Sequence, residues 1–129
     1  MRSYLMKIIQ TQNALKPAGH YSQAIIHNDL LYLSGQLPLH PETGEKILGT
    51  AIEQARQIFT NIGLILKEAG TTTSKVLKLV IYISDVALWD DINTVCGEFF
   101  IEHKPVRTIV PTRDLHFGFQ IEIDCIAVC

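Results

Sequence analysis

Thr50-Ala51-Ile52-Glu53-Gln54-Ala55-Arg56-Gln57-Ile58-Phe59-Thr60-Asn61-Ile62-Gly63-Leu64-Ile65-Leu66-Lys67-Glu68-Ala69-Gly70, with Lys75-Val76-Leu77-Lys78-Leu79-Val80-Ile81-Tyr82-Ile83-Ser84 after it, is the stretch that decides the fold. In the first part Ala51, Ala55, Ile58, Phe59, Ile62, Ile65, Leu66 and Ala69 recur at helical spacing. Gly70 follows as the residue expected just beyond a helix end. In the second part Leu79 to Ile83 is almost uninterruptedly apolar, the pattern of a strand covered on both faces. A helix is thus followed directly by a buried strand.

Outward from this pair, Asp85 is placed to cap a second helix. That helix carries Leu88, Ile92, Val95, Cys96, Phe99 and Phe100 on one face and ends near His103, because Pro105 forbids its continuation. Val106–Val110 reads as a strand. Phe119–Val128 reads as the last one, with Phe119, Ile121, Ile123, Cys125 and Ala127 alternating with Gln120, Glu122 and Asp124. Towards the amino terminus, Ser22–Ile26 and Leu30–Ser34 make a hairpin around His27-Asn28-Asp29. A short extra strand at Met6–Gln10 is compatible with the pattern, and Leu39–Glu45 is a loop with Pro and Gly in turn positions. The order is β-β-α-β-α-β-β, an α+β two-layer sandwich: a mixed sheet with two helices on one face. The other face then has no helical cover, and an apolar face left bare predicts a homo-oligomer.

The 129 residues fit one domain, 1–129, with no repeat, linker or low-complexity segment. Hydrophobic residues make up 47% and charged residues 19%, a lean surface that agrees with area hidden between copies. A net charge of −2 offers no basic footprint for nucleic acid. No apolar run is long enough for a bilayer, no polybasic cluster suits a membrane surface, and residues 1–23 hold no continuous hydrophobic leader. Cys96, Cys125 and Cys129 form no CxxC pair, and their odd number favours reduced thiols in a cytoplasmic protein. The five histidines have no metal-ligand spacing, so no metal is expected.

Arg107 is the first candidate site residue. It lies in Lys104-Pro105-Val106-Arg107-Thr108-Ile109-Val110, where residues 105–110 hold no other charge. A buried guanidinium demands an anion, and its planar fork suits a carboxylate. An edge-strand arginine facing water is the alternative. Glu122, flanked by Ile121 and Ile123, would be a general base if enclosed and an ordinary surface residue if it faces outwards with Gln120 and Asp124. Ser34-Gly35 ends a strand with a glycine, which admits a ligand or merely forms a turn. Tyr21 offers a hydroxyl or an interface ring, and Asn93 lies off the apolar stripe of its helix. No Ser-His-Asp constellation, phosphate loop or dinucleotide fingerprint is present. The cysteines look like small core residues without an activating neighbour in sequence.

Taken together, Gly19-His20-Tyr21-Ser22-Gln23-Ala24, Leu33-Ser34-Gly35-Gln36-Leu37-Pro38-Leu39 and Pro41-Glu42-Thr43-Gly44-Glu45 resemble the amino-terminal half of the RidA/YjgF reactive-intermediate deaminases. Glu98-Phe99-Phe100, Pro105-Val106-Arg107-Thr108 and Ile121-Glu122-Ile123-Asp124-Cys125-Ile126-Ala127 continue the likeness in order, from about Ile8 onwards. The resemblance implies a chorismate-mutase-like fold and a homotrimer, with the sheets forming an inner barrel and clefts lying between subunits. It implies hydrolysis of enamines and imines (2-aminoacrylate, 2-iminopropanoate, 2-iminobutanoate) to 2-oxo acids and ammonia, with no cofactor. On the same basis Arg107 grips the substrate carboxylate, Glu122 positions the attacking water, and Tyr21, Ser34, Gly35, Asn93 and the backbone beside Ile109 border the substrate.

The chain departs from the family pattern at three places. Arg107-Thr108-Ile109 stands where many relatives have Arg-Ser-Cys or Arg-Thr-Cys. His103–Val106 is shorter than in typical bacterial members. Leu115-His116-Phe117-Gly118 replaces the usual Leu-Pro. These departures leave room for a non-catalytic protein that binds or senses 2-oxo acids.

Overall fold

Helix α1 (Ala51–Ala69) forms where the period predicted it, and both ends are closed by their own side chains and backbone. Thr50 stays extended and its hydroxyl accepts from the Glu53 amide at 3.2 Å, which satisfies one of the free donors of the first turn. Gly70 turns left-handed at φ 83°. The amides of Gly70 and Thr71 donate to the carbonyls of Lys67 and Leu66 at 3.1 and 3.0 Å. These details come from a computed structural model that describes residues 5–129. The parts of the leader and domain readings that fall on residues 1–4 lie outside the described residues.

Six strands share one sheet: β1 (Lys7–Ile9), β2 (Ala24–His27), β3 (Leu30–Gln36), β4 (Val76–Ile83), β5 (Val106–Pro111) and β6 (Ile121–Val128). Their spatial order is β1-β2-β3-β6-β4-β5, antiparallel except for the parallel pair β4–β5. Helix α2 (Trp89–Phe100) is the crossover that a parallel pair requires. It packs on α1 through Phe99 stacked on Phe59 at 4.6 Å and Phe100 edge-on to the same ring at 5.7 Å. The fold is therefore the α+β sandwich expected.

Local boundaries differ in ways that have physical causes. Strand β2 starts at Ala24 rather than Ser22 and runs one residue beyond Ile26 to His27, where Asn28 and Asp29 both take positive φ (50° and 65°) and make a tight two-residue turn. Asp85 caps a short 3₁₀ turn, Val86–Leu88, by accepting from the Ala87 amide at 2.8 Å. Helix α2 itself starts at Trp89 without a side-chain cap. It stops at Phe100, short of His103, where Ile101 takes φ 59°. Strand β6 starts at Ile121 rather than Phe119.

Register decides what each face carries. Ile9, Ala24, Leu33, Cys125 and Leu79 form one row across the sheet beneath the helices, all buried, and Arg107 is the residue at its β5 end. The next row on that face ends in Ile81 and Ile109. On the opposite face, Ile8, Ile25, Tyr32, Ile126, Lys78 and Val106 form a row with no layer over it. Exposures of 62% at Ile8 and 65% at Val106 mark this face as the bare one.

Candidate active site

In strand β3, Leu33 pairs with Cys125 but Gln36 pairs with Ile123, so Ser34 and Gly35 together oppose the single residue Asp124. This is a β-bulge, a device that re-aims side chains next to functional sites. The bulge is pinned by the Ser34 amide and hydroxyl, which donate to the Gln23 carbonyl at 3.1 and 3.0 Å. Gln23 is buried and in turn ties down the incoming segment, its amide donating to the Leu15 carbonyl at 2.8 Å.

Gly35 lets the Glu122 carboxylate approach the strand closely. A β-carbon at that position would collide with the Glu122 carboxylate and stand 3.1 Å from its Cδ. Glu122 pairs with Tyr82 and so points to the bare face. It is half-buried, and its carboxyl is held above the ordinary glutamate range. Loss of solvent is the main cause, the nearby Asp124 charge adds to it, and His116 opposes it. Tyr21 arrives from the preceding loop, half-exposed, its hydroxyl accepting from the Ala18 amide at 3.3 Å. Tyr21, Ser34, Gly35 and His116 border one concavity of about 280 Å³.

Arg107 stands elsewhere. It points to the helix side, where its Nη1 donates to Asn93 Oδ1 of α2 at 3.0 Å and its guanidinium lies 5.3 Å from the centre of the Trp89 ring. Asn93 is solvent-exposed, yet it orients the fork, and this partnership was not legible because the two lie fourteen positions apart. Cys96 packs beside Arg107. Burial raises its thiol pKa and contact with the guanidinium opposes that rise, so the thiol does have a cationic neighbour in space though none in sequence. Cys125 is pushed up to about 12 by burial and is inert as a nucleophile. Arg107, Asn93 and Cys96 border a second concavity, of about 570 Å³, between α2 and β5. Ile109 packs on the core from the same face.

The residues named from sequence therefore fall into two groups on opposite faces of one sheet. Tyr21, Ser34, Gly35 and Glu122 come together, and so do Arg107 and Asn93, with Ile109 in the next row. The two groups do not meet within one copy. Sequence reasoning gave no site role to His116, Trp89 or Cys96, which reach these places only through tertiary packing. Among the described residues no group of three His, Cys, Asp or Glu side chains is arranged to hold a metal ion, and no helix is long and apolar enough to cross a membrane.

A mixed six-stranded sheet backed by two helices, with a bulged strand beside a half-buried glutamate, defines a class of small α+β proteins. The family model described as endoribonuclease L-PSP matches residues 11–129, and the chain belongs to this family, that of the RidA/YjgF proteins. A RutC family protein of Pyrococcus horikoshii is 40% identical over 95% of this chain and 98% of its own. A Bos taurus protein named 2-iminobutanoate/2-iminopropanoate deaminase is 37% identical over 99% of this chain and 93% of its own. The solved structure of YyfA from Yersinia pestis, described as of the conserved Rid protein family, superposes with a TM-score of 0.94 at 36% identity, covering 97% of this chain and 100% of that one.

Proposed function

We propose that the protein hydrolyses 2-imino acids and their enamine tautomers to 2-oxo acids and ammonia, at sites assembled between copies in a homotrimer. The observation that carries this reading is the division of the two groups. The planar fork of Arg107 suits a carboxylate, the raised carboxyl of Glu122 suits a base, and the sheet separates them within one chain. The bare face needs a partner, and a neighbouring copy laid along it would bring its own guanidinium towards the bulge. The deaminase name of the bovine relative agrees with the chemistry.

In this reading Arg107, braced by Asn93, binds the substrate carboxylate with two parallel hydrogen bonds and neutralises it. Holding the imine beside a fixed water turns a bimolecular addition into a nearly unimolecular one, worth up to ~7 kcal/mol. Glu122 takes a proton from the water as its oxygen bonds to the imine carbon and the C=N pair moves to nitrogen, returns that proton to the nitrogen, and then carries the remaining proton of the new hydroxyl to the same nitrogen. The carbon–nitrogen bond then breaks, ammonia leaves, and the carbonyl of the 2-oxo acid remains. The raised pKa of Glu122 suits a group that must accept a proton and return it. No cofactor enters the scheme. A nuclease reading would need a basic surface for the phosphate backbone, and the net charge is −2.

The direct test is Arg107→Ala. It should abolish saturable ammonia release from imines made by a dehydratase, while size and circular dichroism stay unchanged. Near-normal turnover by this variant would contradict the assignment.

A further inference from the structure

The concavity beside the bulge presents mostly apolar surface, although Lys16, Gln36 and His116 also border it. Its apolar lining comes from Leu15, Pro17, Leu37, Leu39 and Phe117. Its volume of about 280 Å³ far exceeds what a methyl or ethyl group fills, given that one water takes ~30 Å³ of liquid.

Phe117 is the unusual member of the wall. Its backbone is left-handed, at φ 58° and ψ 16°, a conformation that bulky side chains rarely adopt. A glycine would sit there without strain, so the phenyl ring is what this position contributes. The conformation is held by neighbours on both sides. The Gly118 amide donates to the Leu115 carbonyl at 3.2 Å and the Phe119 amide to the His116 carbonyl at 3.1 Å. The ring rests edge-on against buried Phe119 at 5.8 Å, with Lys46 Nζ 4.3 Å from its centre. It nevertheless remains 47% exposed, so it is presented at the rim and not consumed by the core.

We infer that this apolar wall, closed by Phe117, selects 2-imino acids bearing a longer or branched apolar side chain over the three- and four-carbon substrates in the bovine relative's name. The inference rests on the proposed site. With the carboxylate on Arg107 of the partner subunit and the C=N group at Gly35 and Glu122, the remaining substituent on the planar carbon faces the wall. A single methylene in an apolar pocket is worth ~10- to 200-fold in discrimination. The imine of leucine should therefore exceed that of alanine by at least about tenfold in kcat/KM.

The test compares imines of alanine, leucine and methionine, generated by an amino-acid oxidase and followed by loss of the semicarbazone trap. In parallel, binding of pyruvate and 4-methyl-2-oxopentanoate is measured calorimetrically on the same oligomer. Leucine and methionine imines should be preferred, with 4-methyl-2-oxopentanoate the tighter ligand. Phe117→Ala should reduce the leucine-to-alanine ratio about tenfold, mainly through KM, and Phe117→Leu should restore most of it. Preference for pyruvate and the alanine imine, a ratio unmoved by Phe117→Ala, or no binding of either 2-oxo acid would overturn the inference. Failure of all imines to turn over would remove the deaminase reading instead, and the ratio of the two binding constants would still decide the selectivity.

Discussion

If a site takes its guanidinium from one copy and its carboxylate from another, two inactive variants should rescue each other. Arg107→Ala leaves the bulge, Gly35 and Glu122 untouched, because Arg107 lies on the opposite face of the sheet. Glu122→Gln likewise leaves Arg107 on Asn93. Each variant alone should be nearly silent: loss of the base costs ~100- to 10,000-fold, and loss of the anchor misplaces the substrate and costs at least ~100-fold. When the two are unfolded together in equal amounts and reassembled at random into cyclic trimers, each boundary draws its two groups from independent copies. About one quarter of the boundaries then regain an intact arginine facing an intact glutamate. The assay is 2-oxo acid release before and after co-refolding, with each variant refolded alone as control. Recovery near one quarter of wild-type activity is expected. Recovery no greater than the sum of the controls would refute the two-copy site, since groups drawn from one chain cannot complement.

Gly35→Ala should separate activity from stability. The added methyl meets the far end of the flexible Glu122 side chain, which can swing away, so unfolding should change by less than about 1 kcal/mol while turnover falls ~100-fold. If Glu122 is the base, the acid limb of the pH–rate profile should lie above that of a free glutamate, because its pKa is raised. Asp124→Asn removes a repelling charge and should move the limb to lower pH, whereas His116→Ala should move it higher. By linkage, Glu122→Gln should stabilise the fold at neutral pH and lose that advantage as pH falls from the raised folded-state pKa of Glu122 to the ordinary carboxylate value, which thermal melts across pH will show. Ile101 is β-branched and strained at φ 59°, ψ −102°, so Ile101→Gly should stabilise by about 1 kcal/mol and raise Tm ~3 °C. Thr50→Ala should destabilise by about 1 kcal/mol in the same measurement through loss of its cap.

What could be read in advance followed from periodicity. Helix α1 and strand β4 were legible because each buries a continuous stripe or row. Strand β6 was legible because alternation survives even where Glu122 and Asp124 carry charge. The start of α2 was misread because Asp85 was close enough to cap it, and the intervening 3₁₀ turn has no pattern of its own. The face chosen by Arg107 could not be read, since an edge strand gives no alternation to anchor it. Only register with Leu79 assigns it. The contact of Asn93 with Arg107, and the approach of His116 to Glu122, are tertiary events between elements that sequence leaves independent.

If the proposed site is right, the sheet that keeps arginine and glutamate apart also makes chemistry a collective property. A chain fresh from synthesis would be inert until it found siblings, and output would fall more steeply than dose as the assembly was diluted through its association midpoint. A sibling lacking only one of the two groups would silence only the boundary it serves with that group, whereas one lacking both would spoil the boundaries on either side of itself and so poison its neighbours. An allele that fails to fold would only thin the population.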